Sequence, residues 1–524
     1  MKRARLRPRC SVFLVCAALL VSLGCNGTYE TRKTSDLDAM NGRGPLRVLT
    51  IDSVLYTFDR FSYTDTDLSG SGTVRMRGSV DSFSGSLPFH RIAFIERTEL
   101  SVWKGIWVLP IGIGVFAYII KSMQEPPKFQ IERHQKGSCP YVYAFDGHAY
   151  RLEGEAFGTS VSRAFEAETF NVLPSLTPTD GVLRIRMSNE RPETHLINCT
   201  RLYVGDAGQS KYAVLDVNNE LWPVLKTQLP ETAADHSGNN ILAEVSKKDA
   251  RYWKSDLTHT MPLSGFRDEI QVNFERTSVG SEATIVVDAI NSDLITMAYR
   301  SAGLVLGDET MEFYNALERD TNLQGTIRDW IRECNLRIEM EEDGRWKEIG
   351  MIPPEATVAP FSRAIRIGGL GCHQGPIRLR LSSLTDVWRI DAVTIDYSDV
   401  RPIALSKLDL VSVRSSDKMD WRSAIESNDS SYALILPPAT IDLTFDGFSS
   451  RKLKKPVYVF AAKGYLYEWL QSSPTNAPSQ VLSLVPVSSR VELFKQVISH
   501  KDQFLPSIYA DWRRAESPTT VNDH

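Results

Sequence analysis

Cysteine is scarce, with seven residues in 524, and no two are spaced as Cys-x-x-Cys, which argues against a zinc site. The chain has no Gly-x-Ser-x-Gly elbow, no His-Glu-x-x-His pair, no Gly-x-x-x-x-Gly-Lys loop and no Gly-x-Gly-x-x-Gly opening a helix. The common hydrolase, metalloprotease, phosphate-binding and dinucleotide-binding spacings are therefore missing. Nine histidines are scattered without a pair at ligand spacing, and neither a metal nor a cofactor is expected. There is no low-complexity tract and no acidic tail, and 60 basic residues stand against 64 acidic ones. Without a clustered basic excess, no nucleic-acid partner is expected.

What is present begins at the first residues. Met1, Lys2, Arg3, Arg5, Arg7 and Arg9 make a basic start, and an apolar run from Val12 to Leu23 ends in Gly24-Cys25. A short basic segment, a dozen apolar residues and a small residue before a break form a secretory signal, too short for a comfortable membrane-spanning helix of about 20 residues. Ser22-Leu23-Gly24-Cys25 resembles the bacterial lipobox, with Ser and Leu exchanged from their usual order. Residues 1–25 read as a lipoprotein-type signal segment, cut before Cys25, which is expected to carry the lipid; an ordinary signal peptide with an incidental cysteine is the alternative. Residues 26–44 read as a flexible tether. The expected location is the extracytoplasmic side of the cell envelope, lipid-anchored, at the outer membrane or facing the periplasm.

From residue 45 to 100, short β-branched or alternating runs read as strands: Arg47–Ile51, Val54–Phe58, Thr73–Arg77 and Arg91–Glu96. Gly-Ser stretches such as Ser69–Gly72 are read as separating them. A small barrel or rolled sheet is expected. Residues 105–120 carry no charge and are bracketed by Lys104 and Lys121. Aromatic residues and lysines at the margins suit a bilayer interface. Trp103, Ile106, Trp107, Ile111, Phe116, Tyr118 and Ile120 are the candidate membrane contacts, and a buried core hairpin or helix is the alternative. A linker, 122–138, follows.

A second β-rich body opens at Cys139. Asp146-Gly147, Asp180-Gly181 and Asp343-Gly344 each fall between runs of strand formers, and Asp-Gly supplies the positive φ angles of a tight turn. The strand density from 139 to 400 predicts one or two antiparallel, jelly-roll-like sandwiches. A helical insertion is expected at about 308–334: Met311, Tyr314 and Leu317 follow an N-cap at Asp308, and Ile327, Trp330, Ile331 and Cys334 follow Gly325. Residues 401–470 read as a C-terminal β region, and 471–524 as a linker, a short amphipathic helix (Val491, Phe494, Val497) and a loose tail. The fold class is mainly β. Cys139, Cys199, Cys334 and Cys372 permit two disulfides or remain buried thiols.

The segments Cys139–Tyr143 with Asp146-Gly147, Glu153–Gly158 and Trp388–Ser398 together resemble a family of uncharacterised exported bacterial proteins, many with a lipoprotein-type leader. The resemblance runs from about Leu46 to Trp469. It implies a small β domain and an apolar segment ahead of a larger β body, and it implies no activity.

Four features invite a sharper reading. Asp65–Gly70 opens like a calcium loop, but its twelfth position is Met76, where a bidentate glutamate is needed, so it reads as a polar turn. Cys372 and His373 are neighbours, and on an extended chain neighbours point to opposite faces. Arg451, Lys452, Lys454 and Lys455 suit anionic lipid, polysaccharide or simply a solvated loop. Trp346, Trp388 and Tyr397 are the candidate ligand-binding aromatics, Trp388 also reading as core. The resulting expectation is a non-enzymatic envelope lipoprotein with binding or assembly duties, whose partners are membrane lipid and an envelope protein or polysaccharide. A carbohydrate-binding surface protein is the alternative, and an unrecognised hydrolase comes third.

Overall fold

Alternation of apolar and polar residues along most of the chain produces strands, and twenty-six are seen among the described residues of the computed structural model. The described residues are 28–30, 43–50, 54–64, 66–76, 79–99, 140–191, 193–255, 264–276, 281–303, 306, 310–370, 375–469 and scattered positions between 491 and 505. Cys25, the 103–121 segment, the N-cap Asp308, Cys139, Cys372 and His373 lie outside them. No helix among the described residues is long and apolar enough to cross a membrane. The chain divides into two units.

In the first unit β1 (Thr28–Glu30), β2 (Arg43–Thr50), β3 (Leu55–Tyr63), β4 (Asp67–Met76), β5 (Ser79–Pro88) and β6 (Ile92–Glu99) form one antiparallel sheet. Its order is β1-β6-β2-β3-β4-β5, and it stays open: β1 and β5 are its edges. The barrel alternative is thus corrected to an open sheet. Leu46, Val48, Phe58, Leu68, Leu87 and Ile95 fill its core. Two details differ from the sequence reading. Thr28–Glu30, within the expected tether, pairs with β6. Ser69–Gly72 lies inside β4, not between strands. A bulge between Phe58 and Arg60 brings the β3 backbone against β4; a Cβ on Gly70 or Gly72 would collide with the carbonyl oxygens of Arg60 and Thr57. Here glycine permits a close approach. In the same unit, Arg47 bonds Glu312 at 2.5 Å, and Phe313 packs on Phe494 with ring centroids 4.7 Å apart.

Among the described residues, the second unit holds four five-stranded sheets. Sheet B joins β7 (Tyr141–Phe145), β8 (Tyr150–Glu155), β10 (Val182–Ser188), β23 (Leu410–Ser415) and β25 (Thr440–Asp446). Sheet C joins β9 (Ala167–Val172), β11 (Glu193–Asp206), β22 (Ser406–Leu408), β24 (Ala433–Ile435) and β26 (Pro456–Glu468). Leu183, Ile185, Met187, Leu443 and Phe445 of sheet B share one buried core with Ile197, Leu202, Val204 and Phe460 of sheet C. Residues 406–468 therefore complete the sandwich begun at 141, and do not form a separate C-terminal region. Nothing local in the sequence announces such a pairing across two hundred residues.

Between those halves lies a second pair of sheets. Sheet D holds β12 (Tyr212–Asp216), β13 (Leu221–Val224), β16 (Ala283–Asn291), β19 (Phe361–Ile367) and β21 (Trp388–Asp396). Sheet E holds β14 (Thr232–Asp235), β15 (Arg267–Phe274), β17 (Leu336–Glu342), β18 (Arg345–Ile352) and β20 (Ile377–Leu384). The far side of sheet C meets sheet D through Val459, Leu215 and Leu221. Helices Leu294–Gly303, Thr310–Leu317 and Thr321–Glu333 sit between β16 and β17 in the chain. Met311, Tyr314 and Leu317 are fully buried, as are Ile327, Trp330 and Cys334 nearly so. The last helix starts earlier than Gly325: Asp320 caps it, accepting from the backbone of Asn322 and Leu323, because a carboxylate there satisfies the otherwise orphaned N–H groups.

The Asp-Gly turns divide into two kinds. Asp180-Gly181 (φ +55°, +82°) and Asp343-Gly344 (φ +50°, +73°) both take the doubly positive conformation of a type I′ turn. At Asp146-Gly147 only the glycine is positive. There the Asp146 carboxylate accepts from the backbone of His148 and Ala149 and pairs with Arg151, and those bonds hold it well below the usual carboxylate range.

Candidate functional site

The three aromatic residues expected to contact a ligand do not converge. Trp388 opens β21 and Tyr397 follows its end, nine residues later, so roughly 30 Å of extended chain separates them. Trp388 is buried, donates from its indole nitrogen to the Cys334 carbonyl at 2.8 Å and packs edge-on to Phe361. The void beside it, bounded by Trp253, Asp268, Leu336 and Ile390, measures about 10 Å³, room for one water. Tyr397 is half-buried and donates to the Glu275 carbonyl at 3.2 Å; burial pushes its hydroxyl up to about 12. Trp346 lies on the outer face of sheet E, under the Arg380 guanidinium at 4.8 Å. Arg380 in turn pairs with Glu339 at 2.7 Å, and Arg378 with Glu341 at 3.0 Å.

Of the other singled-out features, those among the described residues are buried or bonded within the fold, while Asp65, Cys139, Cys372 and His373 lie outside the described residues. Cys199 and Cys334 are buried thiols, not half-cystines. Thr64, Thr66 and Asp67 bond one another in a polar turn, and no cluster of metal-ligating residues occurs among the described residues. In the basic run, the backbone of Lys454 and Lys455 donates to Asp206, and the Lys455 ammonium donates to the carbonyls of Ser210 and Lys211 at 2.8 Å.

Among the described residues of the second unit, two groups combine several charged or aromatic side chains; the largely buried His236–Asp268 pair, 2.6 Å apart, stands apart from them. The first is interior. Glu193 and Glu468 are neighbours across the β11–β26 ladder, and Arg300, from the helix Leu294–Gly303, reaches both, at 3.2 Å and 3.3 Å. His195 Nε2 lies 3.2 Å from the other oxygen of Glu193. Burial pushes the Glu468 carboxyl up, against the pull of Arg300, and the nearby Glu193 charge raises it further. Glu155, at the end of β8, accepts from the Thr357 and Val358 N–H groups at 2.8 Å and from the Thr357 hydroxyl at 3.1 Å. Burial nonetheless pushes it up to about 8. It ties the first sandwich to the loop between β18 and β19. Nearby, Arg363 pairs with Glu355 and donates to the Phe170 carbonyl at 2.8 Å.

The second group covers the outer face of sheet B. Since Val142, Ala144, Leu183, Ile185 and Met187 point into the core, the period of two sends Tyr143, Phe145, Arg184 and Arg186 outward. Register then places Arg186 between Tyr143 on one neighbouring strand and Asp442 on the other, and Phe145 beside Tyr150. Arg186 grips Asp442 through two bonds, 2.6 and 3.0 Å, and its guanidinium lies 4.4 Å from the Tyr150 ring. Phe145 and Tyr150 rings are 5.4 Å apart, Arg184 lies 5.6 Å over Phe145, and the Tyr143 hydroxyl donates to Glu190 at 2.8 Å. All of these side chains are half-buried to exposed. From sequence this segment reads as a hairpin; the further signal in it is the alternation of rings and arginines against the apolar series.

No family model matches the chain, and no curated protein is similar to it. Among solved structures, a GH31 α-xylosidase from Xanthomonas citri aligns at 9% identity over 83% of this chain and 38% of its own length, with a TM-score of 0.14. A chain from the triple jelly roll fold and turret assembly of an archaeal virus aligns at 8% identity over 65% of this chain and 98% of its own, with a TM-score of 0.13. At these scores neither carries an argument. The molecule is a multi-sheet, mainly antiparallel β protein of sandwich type with few helices.

Proposed function

We propose that the chain is a non-enzymatic lipoprotein of the cell envelope, anchored through Cys25 with its sandwiches outside the cytoplasm, serving in binding or assembly. The basic start, the apolar run and Cys25 support the anchor. The observation that carries the non-enzymatic part is the enclosure of the acid–base residues. Glu155, Glu193, His195 and Glu468 are buried and bonded to Thr357, Val358, Arg300 and one another. A general acid or base must lie within hydrogen-bond reach of its substrate, and these groups are engaged inside the fold. The ring-bearing face of sheet B favours the second reading, a carbohydrate- or ligand-binding surface protein; an unrecognised hydrolase stands last.

Metabolic labelling with a tagged fatty acid, followed by membrane fractionation, tests the anchor. The natural chain takes up label and sediments with membranes, and Cys25→Ala does not. Label on Cys25→Ala overturns lipidation at that residue. Deleting Ile106–Ile120 from the Cys25→Ala chain reduces its residual membrane retention if that segment contacts lipid; unchanged retention removes the segment from the account.

A further inference from the structure

We infer that the outer face of sheet B is a docking surface for an uncharged polysaccharide. The inference rests on the binding half of the reading above and is independent of the anchor. A pyranose ring presents an apolar C–H face and an equatorial belt of hydroxyls, so a flat site for it combines aromatic faces with fixed donors and acceptors. The face supplies both. Tyr143, Phe145 and Tyr150 lie on adjoining strands β7 and β8. The bidentate Arg186–Asp442 pair, about one-third exposed, stands next to them with its geometry already fixed. A guanidinium has five N–H donors and a carboxylate about four acceptor positions, so a pair that uses two of each retains capacity at its solvent edge.

Charge selects the class of partner. On the outer face Arg184, Arg186 and Arg414 stand against Asp442, Asp446 and Glu190; Arg186 is paired with Asp442, and Arg184 lies 3.9 Å from the exposed Asp180. A surface whose charges balance in this way offers no net attraction to an anionic glycan, a lipid head group or nucleic acid, each of which needs a positive excess. The opposite side of this sandwich is occupied, since sheet C is packed against sheet D.

Affinity electrophoresis of the full chain through gels containing soluble β-glucan, mannan or xyloglucan, with polygalacturonate as the anionic contrast, tests the inference. At least one neutral polymer retards the chain, and 0.5 M salt (roughly a 5 Å screening length or less) leaves the retardation intact. Tyr150→Ala weakens it about tenfold, whereas Tyr150→Phe, which keeps the ring, retains most of it; circular dichroism confirms that both variants are folded. Trp346→Ala on sheet E changes nothing. The inference is overturned by absence of retardation in every neutral polymer, by loss of retardation in salt, or by sensitivity to Trp346→Ala with none to Tyr150→Ala. None of these outcomes bears on fatty-acid labelling at Cys25.

Discussion

Arg186 holds a carboxylate from the neighbouring strand and Arg300, on a helix, holds one from each of two strands, yet the two arginines stand in opposite surroundings. Arg186 meets Asp442 on the outer face of sheet B, with both side chains about one-third exposed. Arg300 meets Glu193 and Glu468 where those carboxylates are 0% and 5% exposed. In water-facing surroundings an ion pair adds little to stability, because solvent already stabilises both charges. In the interior the pair compensates a large desolvation cost, and loss of one member is severe. The same chemistry thus fixes structure in one place and leaves groups available for recognition in the other.

The contrast breaks most sharply at Arg300. Arg300→Ala removes the guanidinium shared by two buried carboxylates and is expected to destabilise the second unit by about 3 kcal/mol or more, read as a lowered urea midpoint. A midpoint within error of the natural chain would mean that the interior pair is not structural.

Glu155 gives the next effect, and it has a sign in pH. Its folded value of about 8 exceeds the 4.5 of an ordinary glutamate. Between those values the folded chain retains a proton that the unfolded chain has released, so stability falls as pH rises from about 4.5 to about 8 and is level above. Glu468, raised in the same direction, adds to the fall. Glu155→Gln removes one contributor, and thermal melts across that range should show a shallower decline; an unchanged slope would exclude Glu155 as a source.

Asp442→Asn is the smallest. It weakens an exposed pair and is expected to cost less than about 1 kcal/mol. A loss as large as that of Arg300→Ala would show that the sheet B face is a structural element of the same kind as the interior.

These features were unequally legible in the sequence. The strands, the I′ turns at Asp180 and Asp343 and the helical pair follow from local spacing, and the structure has them. The joining of 141–206 to 406–468 is a long-range choice that local patterns do not encode. Gly70 and Gly72 read as a break because glycine usually is one; the bulge in β3 that demands them belongs to the neighbouring strand. Among the proposed ligand contacts, Trp388 was drawn inward by the sheet that faces it, and only register shows that Arg186 stands between Tyr143 and Asp442. Sequence reveals which face of a strand a side chain takes, and tertiary pairing decides whom it meets there.

The most direct test of the account measures thermal midpoint and polysaccharide retardation on the same preparations of the natural chain, Arg300→Ala and Tyr150→Ala. The account predicts that Arg300→Ala lowers the midpoint by several degrees while its folded fraction is retarded normally, and that Tyr150→Ala loses retardation with its midpoint nearly unchanged. Parallel loss of both properties in both variants would contradict it.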